Sequence, residues 1–280
     1  MLRKIAVFSD VHGNITALNA VLEDAKRNGA TDYWLLGDLF LPGPGANEIY
    51  EAINNVNPSV WLQGNWEQEI NGVVKGENVR NDQSNVYFAR LTVYLISNLK
   101  QSYLQELFKR PISTKIVVNG LDFGLSHNQA DRSTGHDLFP AENQSNFDHL
   151  AKDHDVVLYG HTHQQVMRTS SEGQLIINPG AIGQPYSPYP KFMSDQRACY
   201  TILTVDDGGN LSVDFRKVSY DISEEIKLAK SKQLPYIELY KHLRETGYTS
   251  THDEELLDKY NKKFNYQKDI NDFFNPKSND

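Results

Sequence analysis

The tetrapeptide Gly160-His161-Thr162-His163 closes a short apolar run, Val156–Tyr159. Two imidazoles one residue apart at the end of a strand-like run are awkward to bury unless both meet a partner there. A lone His-x-His is a weak signal, but four other apolar runs stop in the same way. Lys4–Phe8 leads to Asp10 and His12, Tyr33–Leu36 to Asp38, Val60–Leu62 to Asn65, and Leu121–Leu125 to His127. Open α/β sheets gather their ligand-binding residues at the carboxyl ends of strands, so a sheet built from these runs would put all of them on one edge. They offer two carboxylates, one amide oxygen and four imidazoles. A mixed N/O set without thiolate suits Mn, Fe, Zn or Co rather than Ca, which prefers oxygen throughout. Seven donors are too many for a single ion, whereas two ions sharing a bridging carboxylate employ them all.

The elements that must hold these residues are legible in the periodicity. Lys4–Phe8 reads as a first strand, too short for a helix or for the apolar core of a secretion signal. Ile15, Leu18, Val21 and Leu22 recur at helical spacing as far as Gly29. Tyr33–Leu36, a short helix over Glu48–Asn54 and Val60–Leu62 continue the alternation, which predicts βαβ units and a largely parallel sheet at the start. Residues 71–85 are polar and contain glycine, and the spacing of Leu91, Leu95, Leu99, Tyr103 and Leu107 predicts one helix from Tyr87 to Phe108. Asn119-Gly120 between two apolar runs is a type I′ hairpin signal. Residues 128–147 form a polar loop long enough for a lid. Val166-Met167 with Leu175–Ile177, and Tyr200–Val205 with Leu211–Phe215, read as further strand pairs. From Ile222 onward the chain is helical, with fraying expected beyond Phe264. The expected organisation is one domain over 1–220, with cap-like insertions at 71–110 and 128–147, and a helical extension over 221–280 packed on it.

With 39% hydrophobic and 23% charged residues in 280, the composition is that of an ordinary globular protein. The sole cysteine, Cys199, excludes an internal disulfide and a thiolate-rich zinc site, and it fits a reducing compartment, so the cytoplasm is the expected location. No apolar run approaches a membrane span. A formal net charge of −8 argues against gripping the phosphates of a nucleic-acid polymer. It leaves room for a small anionic substrate, because bound metal cations dominate the local field. Monomer and homo-oligomer both stay open.

Taken in order, Asp10-x-His12, Gly37-Asp38, Gly64-Asn65-x-Glu67, His127 and Gly160-His161-x-His163 resemble the calcineurin-like metallophosphoesterase superfamily. Gly43-Pro44, Asn178-Pro179-Gly180, Gly183-Gln184-Pro185 and Arg197-Ala198 resemble its bacterial phosphodiesterase and diadenosine-tetraphosphatase-related branch. The resemblance covers roughly residues 4–215. It implies an α/β fold, a four-layer α/β/β/α sandwich of two mixed sheets with a dimetal site at the strand ends. It implies further that Asp10, His12 and His163 hold one metal, that Asn65, His127 and His161 hold a second, and that Asp38 bridges them. A hydroxide shared by the ions would be the nucleophile, since coordination lowers its pKa toward neutrality; Asp38, Asn65 and His127 then count as catalytic. Asn14 is placed to donate to phosphate, and Trp66, Arg132 and His136 complete the expected substrate contacts.

One departure from the superfamily pattern bears on the substrate. Trp66 stands where many members carry the histidine of Gly-Asn-His-Glu. Without that group the expected substrate is one whose leaving group needs little protonation: a phosphoanhydride, above all a dinucleoside polyphosphate of the diadenosine-tetraphosphate type. A phosphodiesterase acting on cyclic or aryl phosphodiesters is the alternative reading. A non-catalytic binding scaffold is the alternative of another class, against which the seven retained donors argue. The expected cofactors are two divalent or trivalent transition-metal ions, Mn or Fe ahead of Zn, Co or Mg, and the expected partner is a small phosphorylated nucleotide. His149, His154, His242 and His252 lie in polar contexts and read as solvated.

Overall fold

A computed structural model describes residues 1–77 and 82–275. The chain opens with β1 (Arg3–Phe8), α1 (Ile15–Arg27), β2 (Asp32–Leu35), α2 (Asn47–Val56) and β3 (Val60–Trp61). Helices α3 (Asn65–Val74), α4 (Gln83–Asn98) and α5 (Gln101–Leu107) follow. Then come β4 (Ser113–Val118), β5 (Leu121–Ser126), α6 (Gln144–Ala151), β6 (Val156–Tyr159), β7 (Gln165–Thr169) and β8 (Leu175–Pro179). The single turn α7 (Pro190–Met193) leads into β9 (Ala198–Val205) and β10 (Leu211–Val218). The last elements are α8 (Ile222–Ser231), α9 (Ile237–Thr246), α10 (Glu254–Phe264) and α11 (Tyr266–Phe274).

The strands form two mixed five-stranded sheets, β10-β9-β1-β2-β3 and β4-β5-β6-β8-β7. Strands β1, β2 and β3 run parallel, as do β5, β6 and β8, while β9, β10, β4 and β7 join antiparallel. Period-two patterning accounts for the layers. In β1, Ile5 and Val7 pack with Trp34 and Leu36 onto Phe123, Leu125, Val156 and Leu158 of the other sheet. Ala6 and Phe8 face the opposite way, into a core with Leu18, Val21 and Ile49 of the helices. On the far side Phe147 and Leu150 of α6 cover Val157, Tyr159 and Ile176. The result is the four-layer α/β/β/α sandwich that the resemblance implies. Each large apolar side chain enclosed there contributes roughly 1.5–3 kcal/mol, so the sheet-on-sheet interface is what fixes the strand ends against one another. Asn119 (φ 48°) and Gly120 (φ 91°) supply the two left-handed residues a type I′ turn requires between β4 and β5.

Two expectations need correction. The helix predicted from Tyr87 to Phe108 is two helices: Leu99 takes extended backbone (φ −108°, ψ 132°), and Lys100 N donates to Asn47 Oδ1 at 2.9 Å. Leu95 and Leu107 enter the same core across this corner, so apolar spacing alone does not reveal it. The polar stretch from residue 71 starts within α3, which Asn65 opens, and its residues 78–81 lie outside the described residues. Among the described residues beyond Phe264 there is no fraying as far as 275: α11 packs on α4 and buries Ile270, and Arg90 Nε donates to Asp269 Oδ2 at 3.2 Å, while 276–280 lie outside the described residues.

Candidate metal centre

The carboxyl ends of β1, β2 and β3 deliver Asp10 with His12, then Asp38, then Asn65; β5 and β6 deliver His127 and His161 with His163. Backbone hydrogen bonds join the connecting loops: Asp10 N to Gly37 O and His12 N to Asp38 O, both 3.0 Å, and Gly160 N to His127 O and Gly183 N to Asp10 O, both 2.9 Å. The chain turns sharply as it leaves these strands. Asp10, His12, Asp38, His161 and His163 all adopt left-handed backbone, with φ between 50° and 64°. A non-glycine residue there costs on the order of 1–3 kcal/mol and persists only where its surroundings over-determine it. Gly64 meets a different demand, close approach. A Cβ at that position would lie 2.1 Å from Asp38 Oδ1 and 2.7 Å from His127 Cε1.

All seven donors converge. His163 Nε2 lies 3.1 Å from His12 Nε2 and 3.2 Å from Asp10 Oδ1. Asn65 Oδ1 lies 3.0 Å from His127 Nε2 and 2.9 Å from His161 Nδ1. Asp38 Oδ2 stands between these groups, 3.7 Å from His12 Nε2 and 3.4 Å from His127 Nε2. Two trios have ligand atoms within 4.8 Å of one another, Asp10/His12/His163 and Asp10/Asp38/His127. Asp10 belongs to both, whereas the resemblance gives the bridging place to Asp38, which belongs to the second alone and lies near both His12 and His127.

The donor chemistry fits cations. Asp10 Oδ1 is buried without a hydrogen-bond partner, an arrangement that costs about 1–3 kcal/mol until something accepts its lone pairs. His12 Nδ1 lies 2.7 Å from Leu41 O, and His127 Nδ1 lies 2.7 Å from Leu36 O. A carbonyl only accepts, so both rings carry a proton on Nδ1 and turn Nε2 to the centre. His161 is held the other way round, with Nε2 3.1 Å from Gly135 O and Nδ1 facing inward. Burial, reinforced by His163, brings His12 down to about 4, and burial with His127 does the same to His161, so both are neutral imidazoles at pH 7, the form a metal would need. Burial opposes charge on His127 too, but Asp38 and Asp10 outweigh it and raise the ring to about 9. For Asp10, burial raises the carboxyl, yet His163, His127 and His12 together hold it well below the usual range; His127 does the same for Asp38. For His127 to hold a metal through Nε2, the proton that Asp38 and Asp10 favour on that nitrogen would have to leave.

Glu67 holds the centre from beneath, and sequence reasoning passes over it as a site residue. Its buried carboxylate accepts from Asp38 N (2.9 Å), Leu39 N (2.7 Å) and Gly64 N (2.7 Å), tying the β2 loop to the start of α3. Burial and then the charge of Asp38 push this carboxyl up to about 7, against those three donors. The available signal is a Glu three residues past Gly64, a helix-start pattern.

The expected substrate contacts fare unequally. Trp66 stands edge-on to His12, 5.1 Å between ring centroids, and against Phe88 at 4.9 Å. It walls a cavity of about 420 Å³ that opens over Asp38, Asn65, His161 and His163. Asn14 is spent elsewhere: Oδ1 accepts from Ala17 N and caps α1, Nδ2 donates to Tyr220 OH, both at 3.0 Å, and the residue is 1% exposed. Arg132 is paired with Asp137, and His136 lies exposed against Phe139, so neither lines the cavity. The same cavity is lined by Ser84 and Asn85 of α4 and by Thr249, Thr251 and His252 from the turn between α9 and α10. His252, read from sequence as merely solvated, is exposed but borders this space. A second cavity of about 290 Å³ also reaches His163 and is bordered by Tyr186, Phe192 and Lys217. A larger groove of about 630 Å³ along α1, α2 and α8 contains none of the donors, so chemistry rather than size locates the site.

Residues 3–208 match the calcineurin-like phosphoesterase superfamily domain. Over 247 residues the chain is 29% identical to the uncharacterized protein MJ0912 of Methanocaldococcus jannaschii, spanning 82% of this chain and 93% of that one. A metallophosphoesterase from Sphaerobacter thermophilus superposes with a TM-score of 0.64 at 24% identity, covering 88% of this chain and 100% of that one. The hypothetical protein PH1004 from Pyrococcus horikoshii OT3 does so with 0.68 at 21% identity, covering 88% and 99%. At such identities the structures speak to the fold, and the domain match, which spans most of the chain, speaks to the family. No helix among the described residues is long and apolar enough to cross a membrane. With the converging donors and the domain match in agreement, the chain belongs to the calcineurin-like phosphoesterase superfamily and is a phosphoric ester hydrolase.

Proposed function

We propose that this enzyme hydrolyses a small nucleotide with two ends, a dinucleoside polyphosphate, at a phosphoanhydride bond. The observation that carries the reading is the pair of cavities meeting at His163, one walled by Trp66 and Phe88, the other by Tyr186 and Phe192. Aromatic faces suit nucleobases, and a polyphosphate joining two such sites would cross the strand-end donors. Asp10, His12 and His163 hold one ion in this reading, Asn65, His127 and His161 the other, with Asp38 between them; Mn and Fe are the leading metals, ahead of Zn, Co or Mg. When bound, the ions supply Lewis acidity and lower the pKa of water. The protein's own residues do the positioning. The carbonyls of Leu41 and Leu36 lock the rings of His12 and His127 in orientation, and Glu67 fixes the backbone around Asp38 and Asn65. Trp66 brings an apolar ring to the donors where a proton donor is dispensable, because a polyphosphate leaves as a stable anion. The single cysteine, buried and free, suits a cytoplasmic setting. The test is turnover of diadenosine tetraphosphate against an alkyl phosphate monoester, with Mn, Fe, Co and Mg in turn. The anhydride should be the better substrate, with activity abolished in Asp38→Asn; a clear preference for the alkyl ester would sink the reading.

A further inference from the structure

We infer that His252, on the turn between α9 and α10, is a catalytic residue that protonates the leaving oxygen of an ester substrate. The inference rests on the cavity over the donors being the place of phosphoryl cleavage. It goes beyond the anhydride reading, because it equips the enzyme for phosphodiesters whose alcohol cannot leave as a free alkoxide.

Three imidazoles border that cavity among the described residues, and His161 and His163 are turned to the metal donors. His252 is the third, and it lies outside the ligand set. The neighbouring Ser84, Asn85, Thr249 and Thr251 offer hydroxyls and an amide, which hydrogen-bond but do not give up a proton near neutrality. Glu69 brings a carboxylate, the wrong sign beside a phosphate. Imidazole is the side chain suited to proton transfer at that pH.

The position of His252 is built. Glu254, two residues further on, accepts from Gln83 N at 2.9 Å and Ser84 N at 3.1 Å, capping the start of α4. Asn261 Nδ2 of α10 donates to Gln83 Oε1 at 2.8 Å. Tyr87 of α4 meets Tyr236 edge-on at 4.6 Å. The hydroxyls of Thr249 and Thr251 bond each other at 2.7 Å across the turn itself. Helix α4 and the turn are therefore one wall, and its Ser84, Asn85 and His252 border the same cavity of about 420 Å³ as Asp38, Asn65, His161 and His163. A phosphodiester bound there has its phosphorus at the donors and its leaving alcohol toward the wall.

In the step, the attacking water forms the new P–O bond and releases a proton to solvent. The P–O bond to the leaving group breaks with its electron pair on that oxygen. The imidazolium of His252 transfers its proton to the same oxygen, so an alcohol departs and a neutral ring remains, to be reprotonated from solvent.

The experiment uses the full-length, metal-loaded enzyme with His252→Gln and His252→Ala, against two diesters sharing one phosphoryl part. One has a p-nitrophenyl leaving group, which departs unprotonated, and the other has a simple alkyl leaving group. We expect kcat/KM for the alkyl diester to fall about 100-fold or more while the aryl diester changes by less than about threefold. Metal content and melting temperature should be unchanged, and added imidazole should restore alkyl turnover to His252→Ala. An equal loss for both diesters, no loss for either, or a parent enzyme that turns over no alkyl diester overturns the proposal. Neither diester has a second nucleotide end, so turnover of diadenosine tetraphosphate, followed in parallel, decides the anhydride reading separately.

Discussion

Glu67→Gln tests whether the metal donors are held from beneath. The side chain touches no substrate space, so its effect must travel through Asp38, Leu39 and Gly64, whose N–H groups it binds. In metal-free protein at pH 7 the carboxyl stands at its own midpoint, about 7, because burial and the charge of Asp38 oppose ionisation. Neutral and ionised forms are then nearly equal in free energy, and an amide of the same shape substitutes at a cost of about 1 kcal/mol or less. Cations beside Asp38 change the balance. They cancel the repulsion, the carboxylate becomes fully ionised, and all three N–H groups are satisfied.

The amide has a single acceptor oxygen. Placed where Oε2 is, it keeps Asp38 N and Gly64 N and turns its NH₂ onto Leu39 N, leaving one buried donor unpaired at a cost of about 1–3 kcal/mol. That cost falls on the metal-bound state, so by linkage it weakens metal binding about 10- to 100-fold. Chelator-competition titration of Mn gives the affinity, and calorimetry with and without metal gives the stability. The reasoning fails if Glu67→Gln binds Mn as tightly as the parent. It also fails if the variant is destabilised by the same several kcal/mol with and without metal.

Two further outcomes follow from the geometry. His161→Ala should deplete the ion beside Asn65 and His127, and His163→Ala the ion beside Asp10 and His12, as read by elemental analysis and by the spectrum of the remaining ion; two ions retained in both variants would refute the division. Asp24 accepts from Tyr200 OH and Arg216 Nε at 2.7 Å each, and although burial opposes its charge, Arg216 and then Tyr200 outweigh burial and lower its pKa. The folded value lies below the unfolded one, so this carboxylate stabilises above about pH 4 and the contribution is lost as pH falls through the lowered folded value. Asp24→Asn should therefore unfold at lower urea at pH 7, by about 1–3 kcal/mol, with the gap closing at acid pH; an equal gap at both pH values would count against it.

The donors are legible because each sits directly after an apolar run that could only be a strand. Val156–Tyr159 announces both an inner strand and the place where it stops, and the stop holds His161 and His163. The same logic fails for residues whose place is set by tertiary contact. Asn14 has the composition and spacing of a phosphate contact, yet Tyr220, far along the chain, claims its amide. His252 has no local pattern at all; it borders the cavity because Glu254 and Asn261 fasten the last helices to the start of α4. Fraying is the natural expectation for a polar tail, but Ile270 and Tyr266 bury against α4, and no periodicity within a nine-residue helix identifies that partner.

These two classes of residue meet in the energetics of the centre. Five donors in left-handed backbone, at on the order of 1–3 kcal/mol each, and an unpaired buried oxygen on Asp10 add up to a cost comparable with the roughly 5–15 kcal/mol net stability of a whole domain. Glu67 offsets part of it locally, through the N–H groups of Asp38, Leu39 and Gly64. The rest of the offset comes from the sheet-on-sheet core, where Ile5, Val7, Trp34, Phe123 and Leu158 fix β1, β2, β5 and β6, and from the backbone bonds between their loops. Because the donors are held there by the core as well as by bonds among themselves, the strain survives before a cation binds, and a cation would recover the cost of Asp10 without having to organise the loops. Metal affinity in this protein is thus set partly by residues far from the metal: loosening the inter-sheet core should weaken ion binding before it unfolds the chain.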